Sequence, residues 1–259
     1  MSIELLVVAI FCALLLLSAL GAPIGLSLGG IAMIFGYFYW GPQAFNLITT
    51  TTINSITNFL LLAIPLFIFM GQVLMRSGMG EAMFHSVHVV AGRLRGGIAI
   101  GVILTCTLFS AMVGIIGAGI MTAGTVALPP MLKRGYNRHL ALGTIMAGGG
   151  LGILIPPSIP MVLFSAMTKA SLGQMFAGSL IPAAIMVGFF VLYIGLRCWL
   201  RPEDGPPLSV DELGTWKDKA LAVRNGLLAF SLIFCVLGTI LTGMATPTEA
   251  GAMGAFGAC

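Results

Sequence analysis

The sequence has very few charged residues for its length. Of 259 residues, 12 are Lys or Arg and 8 are Asp or Glu, so only 8% carry a formal charge. A soluble domain usually has about 25%. Hydrophobic residues make up 58% of the chain, and its mean hydropathy is +1.07. This composition excludes a soluble domain and indicates an all-α polytopic membrane protein that lies in a lipid bilayer.

The residue groupings that enzymes and metal centres require are also missing. The five cysteines lie far apart without a CxxC pair, and His85 and His88 have no third ligand nearby. No HExxH, GxSxG or GxxxxGK[ST] motif occurs, which argues against an intramembrane protease and against nucleotide hydrolysis by this chain. The basic residues are scattered, so we expect no nucleic-acid partner. We also expect no enzymatic activity and no cofactor.

Long apolar runs predict the membrane-spanning segments. Their approximate ranges are 4–20, 23–40, 57–75, 96–130, 139–167, 180–199 and 225–243. Basic residues concentrate in the loops at 76–95 and 133–138, and the positive-inside rule places both loops in the cytoplasm. The N-terminus then lies outside, and the polar loop at 200–224 lies inside.

The segment 96–130 has to enter the membrane and return, because both of its flanking loops lie on the same side. It is too long for one span of about 20 residues and too short for two spans with a loop. A re-entrant hairpin with its tip near Gly114 satisfies this requirement. The alternative is a single tilted helix whose glycines are packing contacts, which would put one basic loop outside.

The segment 139–167 carries three prolines where a continuous helix tolerates them badly. Proline has no backbone N–H, so Pro156, Pro157 and Pro160 leave the carbonyls of Gly152, Ile153 and Pro156 without helical donors. Bare carbonyls at bilayer depth persist only where protein, water or a cation supplies a partner. A broken helix of this kind is typical of the binding site of a secondary transporter.

Two connectors in the chain resemble each other. The first span is followed by GAPIG at 21–25, and the last span is followed by GMATPTEAG at 243–251. Similar helix–Gly–Pro–helix units of opposite orientation predict an inverted repeat, although chance similarity is an alternative. Since the chain ends within an apolar helix, we expect one complete repeat and the truncated start of a second.

Several motifs occur in an order that resembles a known family. They are IPLFIFMG at 64–71, LPPMLKRGY at 128–136, LGILIPPS at 151–158 and TPTEA at 246–250. The chain is similar to the large, DctM-like membrane subunit of tripartite ATP-independent periplasmic (TRAP) transporters, and to an N-terminal part of it. The resemblance implies an elevator-type carrier of the bacterial inner membrane that takes up an organic anion together with sodium ions. It also implies two partners, a small TRAP membrane subunit and a periplasmic substrate-binding protein.

The resemblance implies a division of the chain into four parts. Residues 1–95 would be scaffold helices, and 96–180 would belong to the transport domain, with the hairpin at 96–130 and the broken helix at 139–167. Residues 181–224 would form a connecting helix and cytoplasmic loop, and 225–259 the start of the second repeat. The alternative function is a permease or assembly subunit of a transport system that a separate subunit powers.

Backbone carbonyls at the hairpin tip and the broken helix supply most cation ligands in this family. The matching residues are Val113, Gly114, Ile116, Gly117, Gly152, Ile155 and Pro157. The serine-rich tip of many family members is missing here, so Ser110 or Ser158 would have to add hydroxyl oxygen. Both serines are also the candidate substrate contacts, and Ser158 has the alternative role of a helix N-cap. Glu249 is either functional or a capping residue at a helix N-terminus.

Overall fold

The computed structural model describes residues 3–77, 95–114, 116–206 and 231–259. Throughout these ranges the protein is helical, and no strand occurs in them. The chain divides into two compact units, Met1–Asn58 and Phe59–Cys259. The predicted all-α class is therefore confirmed.

The first unit contains three helices in sequence. They are α1 (Ile3–Ala19), α2 (Ile24–Trp40) and α3 (Gln43–Ile56), and each packs against the next. The run Thr49–Thr52 lies inside α3, between the predicted spans at 23–40 and 57–75, so the sequence analysis did not predict this helix. A threonine in a helix can donate a hydrogen bond from its hydroxyl to a backbone carbonyl one turn earlier. The Thr50 hydroxyl donates in this way to the carbonyl of Asn46 at 2.8 Å.

The second unit contains the remaining helices. The bounds are α4 (Ala63–Arg76), α5 (Gly97–Val113), α6 (Ile116–Val126), α7 (Leu128–Lys133), α8 (Arg138–Gly150), α9 (Ile159–Thr168), α10 (Leu172–Leu200), α11 (Ser231–Leu241) and α12 (Pro247–Gly257). Short 3-10 turns cover Phe59–Leu62, Leu151–Ile153 and Pro202–Asp204.

Two described helical segments are long and apolar enough to cross a membrane. They are Phe59–Arg76 and Leu172–Leu200, and only 28% and 17% of their most apolar windows are buried inside the protein. A core helix of a soluble protein would be mostly buried, so these segments offer their apolar side chains to the surroundings. The other apolar helices in the described ranges have 10–17 residues. Helix α10 begins earlier than the predicted span at 180–199 and contains Pro182.

The core of the second unit forms where α4, α5, α8 and α10 meet. Its largest fully buried side chains include Phe67, Met70, Phe109 and Phe176. Helix α12 packs on α4, and a Cβ added at Gly254 would lie 2.6 Å from the sulfur of Met70. Small residues therefore allow the close helix approach that membrane proteins favour.

The two similar connectors have the same backbone geometry. Gly21 and Gly243 have φ angles of 82° and 72°, and each residue that follows donates to a carbonyl five residues earlier: Ala22 to Leu17 and Met244 to Thr239, both at 3.0 Å. This is the Schellman pattern that ends a helix. A proline then stands at or just before the start of the next helix in both connectors. The local resemblance is structural, and the inverted repeat stays a prediction.

Several sequence-based expectations lie outside the described residues. These are most of the loop at 76–95 with His85 and His88, and the greater part of the loop at 200–224. The segment predicted to form a re-entrant hairpin contains α5 and α6 with α7 after them, and the segment predicted to form the broken helix contains α8 and α9. The re-entrant course through a membrane stays a prediction.

Candidate functional site at two helix interruptions

The first interruption separates α8 from α9. Helix α8 ends at Gly150, a 3-10 turn covers Leu151–Ile153, and α9 begins at Ile159. The carbonyl of Leu151 accepts from the N–H groups of Leu154 at 2.9 Å and Ile155 at 3.0 Å. The Pro156–Pro157 peptide bond is cis. The predicted helix break is therefore present, and it centres on the prolines.

The second interruption separates α5 from α6 at Gly114. This residue has a φ of 63°, in the left-handed region that residues with a Cβ adopt only at a cost. Helix α5 ends one residue before it, and α6 begins at Ile116. The predicted tip residue thus joins two helices. Ser110 and Val113 lie in the last two turns of α5, and their side chains are outside the described part of the structure.

The two interruptions meet each other. Gly114 is buried, and a Cβ added to it would overlap the carbonyl oxygen of Pro157 and lie 3.2 Å from the carbonyl carbon. The same Cβ would lie 3.6 Å from the backbone nitrogen of Ile159. The backbone of the hairpin tip therefore rests directly on the backbone of the helix break, which only glycine at position 114 permits.

The end of α8 lies between the two arms of the hairpin. A Cβ on Gly148 would lie 2.8 Å from the Cβ of Cys106 on α5, and a Cβ on Gly149 would lie 3.0 Å from the backbone nitrogen of Ile120 on α6. One glycine faces each arm. The sequence analysis missed this role, although the glycine triplet at 148–150 that precedes the break is its visible signal.

Oxygen atoms are available in the buried space at the break. Ser158 is fully buried, and its hydroxyl donates to the carbonyl of Ile153 at 2.5 Å. Within the described ranges, no donor to the carbonyl of Pro157 occurs. The N-cap interpretation of Ser158 is correct for its position but wrong for its side chain, which makes no capping hydrogen bond. Pro160, at the second position of α9, has no N–H to donate to the Ser158 hydroxyl oxygen.

The remaining predicted cation-site residues are distributed on both sides of this contact. Gly152 and Ile155 are buried at the break, whereas Ile116 is half-buried and Gly117 is exposed at the start of α6. The structure brings together Gly114 and Pro157 most directly. Among the described residues, no group of three or more His, Cys, Asp and Glu side chains could hold a metal ion.

Glu249 has a capping role. Its carboxylate accepts from the backbone N–H of Thr246 at 2.8 Å, and the Thr246 hydroxyl accepts from the Glu249 N–H at 3.3 Å. This reciprocal pair is a capping box at the start of α12. The structural interpretation of Glu249 is confirmed.

A polar cluster joins three chain segments at the far end of α8. Asp204 accepts from Arg197 Nε at 2.9 Å and from Asn137 Nδ2 at 2.9 Å, and Gly96 donates its N–H to Gly205 at 2.9 Å. The hydrogen bond from Arg197, followed by that from Asn137, holds the pKa of the Asp204 carboxyl below its ordinary value of 3.8. The sequence analysis missed this cluster, because its members are distant in the chain; Asn137 and Asp204, for example, are 67 positions apart.

Comparison with known proteins supports the resemblance that the motifs indicated. The profile of the family described as "Tripartite ATP-independent periplasmic transporter, DctM component" matches residues 11–259. The C4-dicarboxylate TRAP transporter large permease protein DctM of Vibrio cholerae is 32% identical over 237 residues, which cover 91% of this chain and 51% of the relative.

Two further relatives are named for substrates other than a C4-dicarboxylate. The isethionate TRAP transporter permease protein DctMQ of Oleidesulfovibrio alaskensis is 29% identical, over 95% of this chain and 38% of the relative. The ectoine TRAP transporter large permease protein TeaC of Halomonas elongata is 28% identical, over 90% of this chain and 54% of the relative. This chain spans about half the length of most of these relatives, all of which are permease subunits and not enzymes. It belongs to the DctM component family of tripartite ATP-independent periplasmic transporters.

Proposed function

We propose that the full-length protein is the large permease subunit of a sodium-coupled TRAP transporter. It takes up an organic anion of the carboxylate type across the bacterial inner membrane. A periplasmic binding protein delivers the anion, and a small membrane subunit completes the permease. The single observation that carries the proposal is the contact of Gly114 with Pro157, which joins two helix interruptions at a buried place.

The chemistry of this contact suits a sodium ion. Sodium is a hard cation that prefers oxygen ligands, and interrupted membrane helices supply them as backbone carbonyls. The carbonyl of Pro157 is the strongest candidate ligand, and the carbonyls of Val113, Gly114 and Gly152 are the next candidates. Residues absent from this chain would complete the coordination, because the chain covers about half of its relatives.

Ser158 is better suited to the cation than to the anionic substrate. Its hydroxyl proton is donated to Ile153, so it has no proton left for a carboxylate, while its oxygen lone pairs remain available. The N-terminus of α9 next to it favours an anion through its free N–H groups. We therefore assign Ser158 to the ion side of the site and keep Ser110 as the candidate contact for the substrate.

The hairpin and the broken helix would move as one body in an elevator mechanism. This proposal is supported by the position of Gly148 and Gly149 between the two hairpin arms. Because these glycines have no side chain, α8 packs closely against both α5 and α6. Close-packed interiors transmit displacement because they deform little. The hairpin would then carry its bound ion when the domain shifts.

The test is uptake by the full-length permease in proteoliposomes with its binding protein and small subunit. An inward sodium gradient should drive accumulation of the anion that the binding protein retains, and collapse of the gradient should abolish it. Uptake that follows ATP supplied to a separate subunit and ignores sodium would instead support the alternative permease.

The re-entrant topology has its own test by thiol labelling. In a background without exposed native cysteines, Lys133→Cys should react only from the cytoplasmic side and Lys169→Cys only from the periplasmic side. The two positions lie at opposite ends of the α8–α9 segment. Periplasmic labelling at position 133 would contradict the re-entrant hairpin and would show that the segment 96–130 crosses the membrane once.

A further inference from the structure

A groove follows the last turns of α10 where they face the beginning of α8. Two adjoining cavities form it, with volumes of about 280 Å³ and 380 Å³, and they share Tyr193 and Arg197. The first cavity is lined by α5, α8 and α10, and the second lies along the final turns of α10 and the residue after it. The groove is separate from the contact between Gly114 and Pro157.

The groove is polar at one end and apolar at the other. His139, Tyr193 and Arg197 line one end, while Ala147 and Phe190 line the other. The eight positions from residue 139 to 147 on α8 correspond to about 12 Å along the helix axis. A ligand that fills this groove has to combine a polar head with an apolar chain.

The polar end carries hydrogen-bond donors for an anion. Arg197 donates its Nε to Asp204 and its Nη1 to the hydroxyl oxygen of Tyr193, each at 2.9 Å. A guanidinium has five N–H donors, so three are left, and the Tyr193 hydroxyl keeps its own proton because it accepts the bond from Arg197. Arg201 adds a second guanidinium at the same place.

The surroundings of the groove are those of a membrane interface. On the same helix, Leu192 is 63% exposed, Leu196 51% and Trp199 70%, so apolar side chains next to the groove face the lipid region. Aromatic and basic residues at a helix end are typical of the boundary between hydrocarbon and water. The basic residues near this end, with Lys133 and Arg138 among them, place it on the cytoplasmic side, where anionic lipids are concentrated.

We propose that this groove binds an anionic phospholipid, with its phosphodiester at Arg197, Arg201 and Tyr193 and an acyl chain along Phe190 and Ala147. The lining contains two guanidinium groups and no carboxylate, so the groove itself presents positive charge to the phosphate, although Arg197 is paired with Asp204 outside the lining. A small free anion would leave the apolar part of the groove unfilled. A zwitterionic lipid would bring its own cation next to the arginines. The proposal rests on the membrane orientation proposed above.

The test uses the purified full-length protein in detergent and native mass spectrometry. The probes are phosphatidylglycerol, phosphatidylethanolamine with the same acyl chains, and inorganic phosphate. We expect phosphatidylglycerol to bind at least about tenfold more tightly than phosphatidylethanolamine, since charge-assisted hydrogen bonds to a phosphate are the stronger kind. Inorganic phosphate at millimolar concentration should not displace the lipid.

Variants separate the groove from general surface charge. Tyr193→Phe and Arg201→Gln together should weaken phosphatidylglycerol binding about tenfold and leave the ion pair of Arg197 with Asp204 intact. Arg138→Gln removes an exposed charge outside the lining and should change binding by less than about twofold. Each variant is first compared with the wild type by thermal unfolding.

Three results would overturn the proposal. They are equal affinity for the two lipids, an equal loss in Arg138→Gln, and displacement of the lipid by inorganic phosphate, which would identify a free anion as the ligand. Sodium-driven uptake measured in phosphatidylethanolamine vesicles keeps the two proposals apart. A carrier without the lipid site would keep its sodium dependence, and a protein without sodium coupling would keep its lipid selectivity.

Discussion

Gly114→Ala is the sharpest test of the contact between the hairpin tip and the helix break. The new Cβ would sit in the left-handed region, which costs about 1–2 kcal/mol. It would also overlap the carbonyl oxygen of Pro157 and lie 3.2 Å from its carbon, and crowding of this kind costs about 1–3 kcal/mol. Alanine also lowers the conformational entropy of the unfolded chain, and this effect offsets about 0.4–1 kcal/mol of the destabilisation. We expect a net destabilisation of about 2–4 kcal/mol.

The assay pairs thermal unfolding of the purified full-length protein with a sodium titration of uptake. Because the added methyl group has to push the Pro157 carbonyl aside, the sodium concentration for half-maximal uptake should rise by about tenfold or more, which corresponds to about 1.4 kcal/mol. Loss of stability with unchanged sodium dependence would mean that the contact is structural and that the Pro157 oxygen is no ligand.

A second glycine on the adjoining helix is the matched control. Gly124 lies in α6, and a Cβ added there meets nothing within 4 Å. Gly124→Ala should leave the sodium dependence unchanged and should stabilise the helix by up to about 1 kcal/mol. If Gly114→Ala and Gly124→Ala behave alike in both assays, the close approach of the two interruptions does not exist in the working protein.

Three other substitutions have definite expected outcomes. Gly149→Ala should destabilise the full-length protein by about 1–3 kcal/mol in thermal unfolding, because its methyl group meets the hairpin backbone. Ser158→Ala should raise the sodium concentration for half-maximal uptake by about threefold to tenfold through the loss of an oxygen ligand. Asp204→Ala should lower the melting temperature at pH 7, and the difference should close only as the pH falls through the folded-state pKa, below the ordinary 3.8, since protonation removes the charge that Arg197 stabilises.

Each of these three substitutions has a control in the same part of the chain. Gly150→Ala adds a methyl group that meets nothing within 4 Å, and an equal loss there would contradict the packing argument. Ser165 also donates to a backbone carbonyl at 2.5 Å but lies in α9, so an equal effect of Ser165→Ala on sodium dependence would remove Ser158 from the site. Glu203 is exposed beside Asp204, and Glu203→Ala should leave the melting temperature at pH 7 unchanged.

Local chemistry explains the parts of the fold that the sequence predicted well. Proline lacks an N–H wherever it stands, so the break at Pro156 and Pro157 could be read directly from the residues. Gly114 was recognised as the tip from the length of the segment and the charges beside it. Helix α3 was missed, because a run of threonines is a weak helix former and its hydroxyl bonds to the preceding turn are visible only in the folded backbone.

The sequence by itself determined the membrane character, the two helix interruptions and the family, since each follows from composition or from residues within a short stretch of chain. Only the tertiary structure decided that Gly114 rests on Pro157, that the end of α8 lies between the hairpin arms, and that Ser158 donates to Ile153 and does not cap a helix. Hydrophobicity and missing N–H groups are properties of individual residues, whereas a contact between distant positions such as Gly114 and Pro157 depends on how whole helices pack. The partner of the Ser158 hydroxyl depends on how the chain turns at the break.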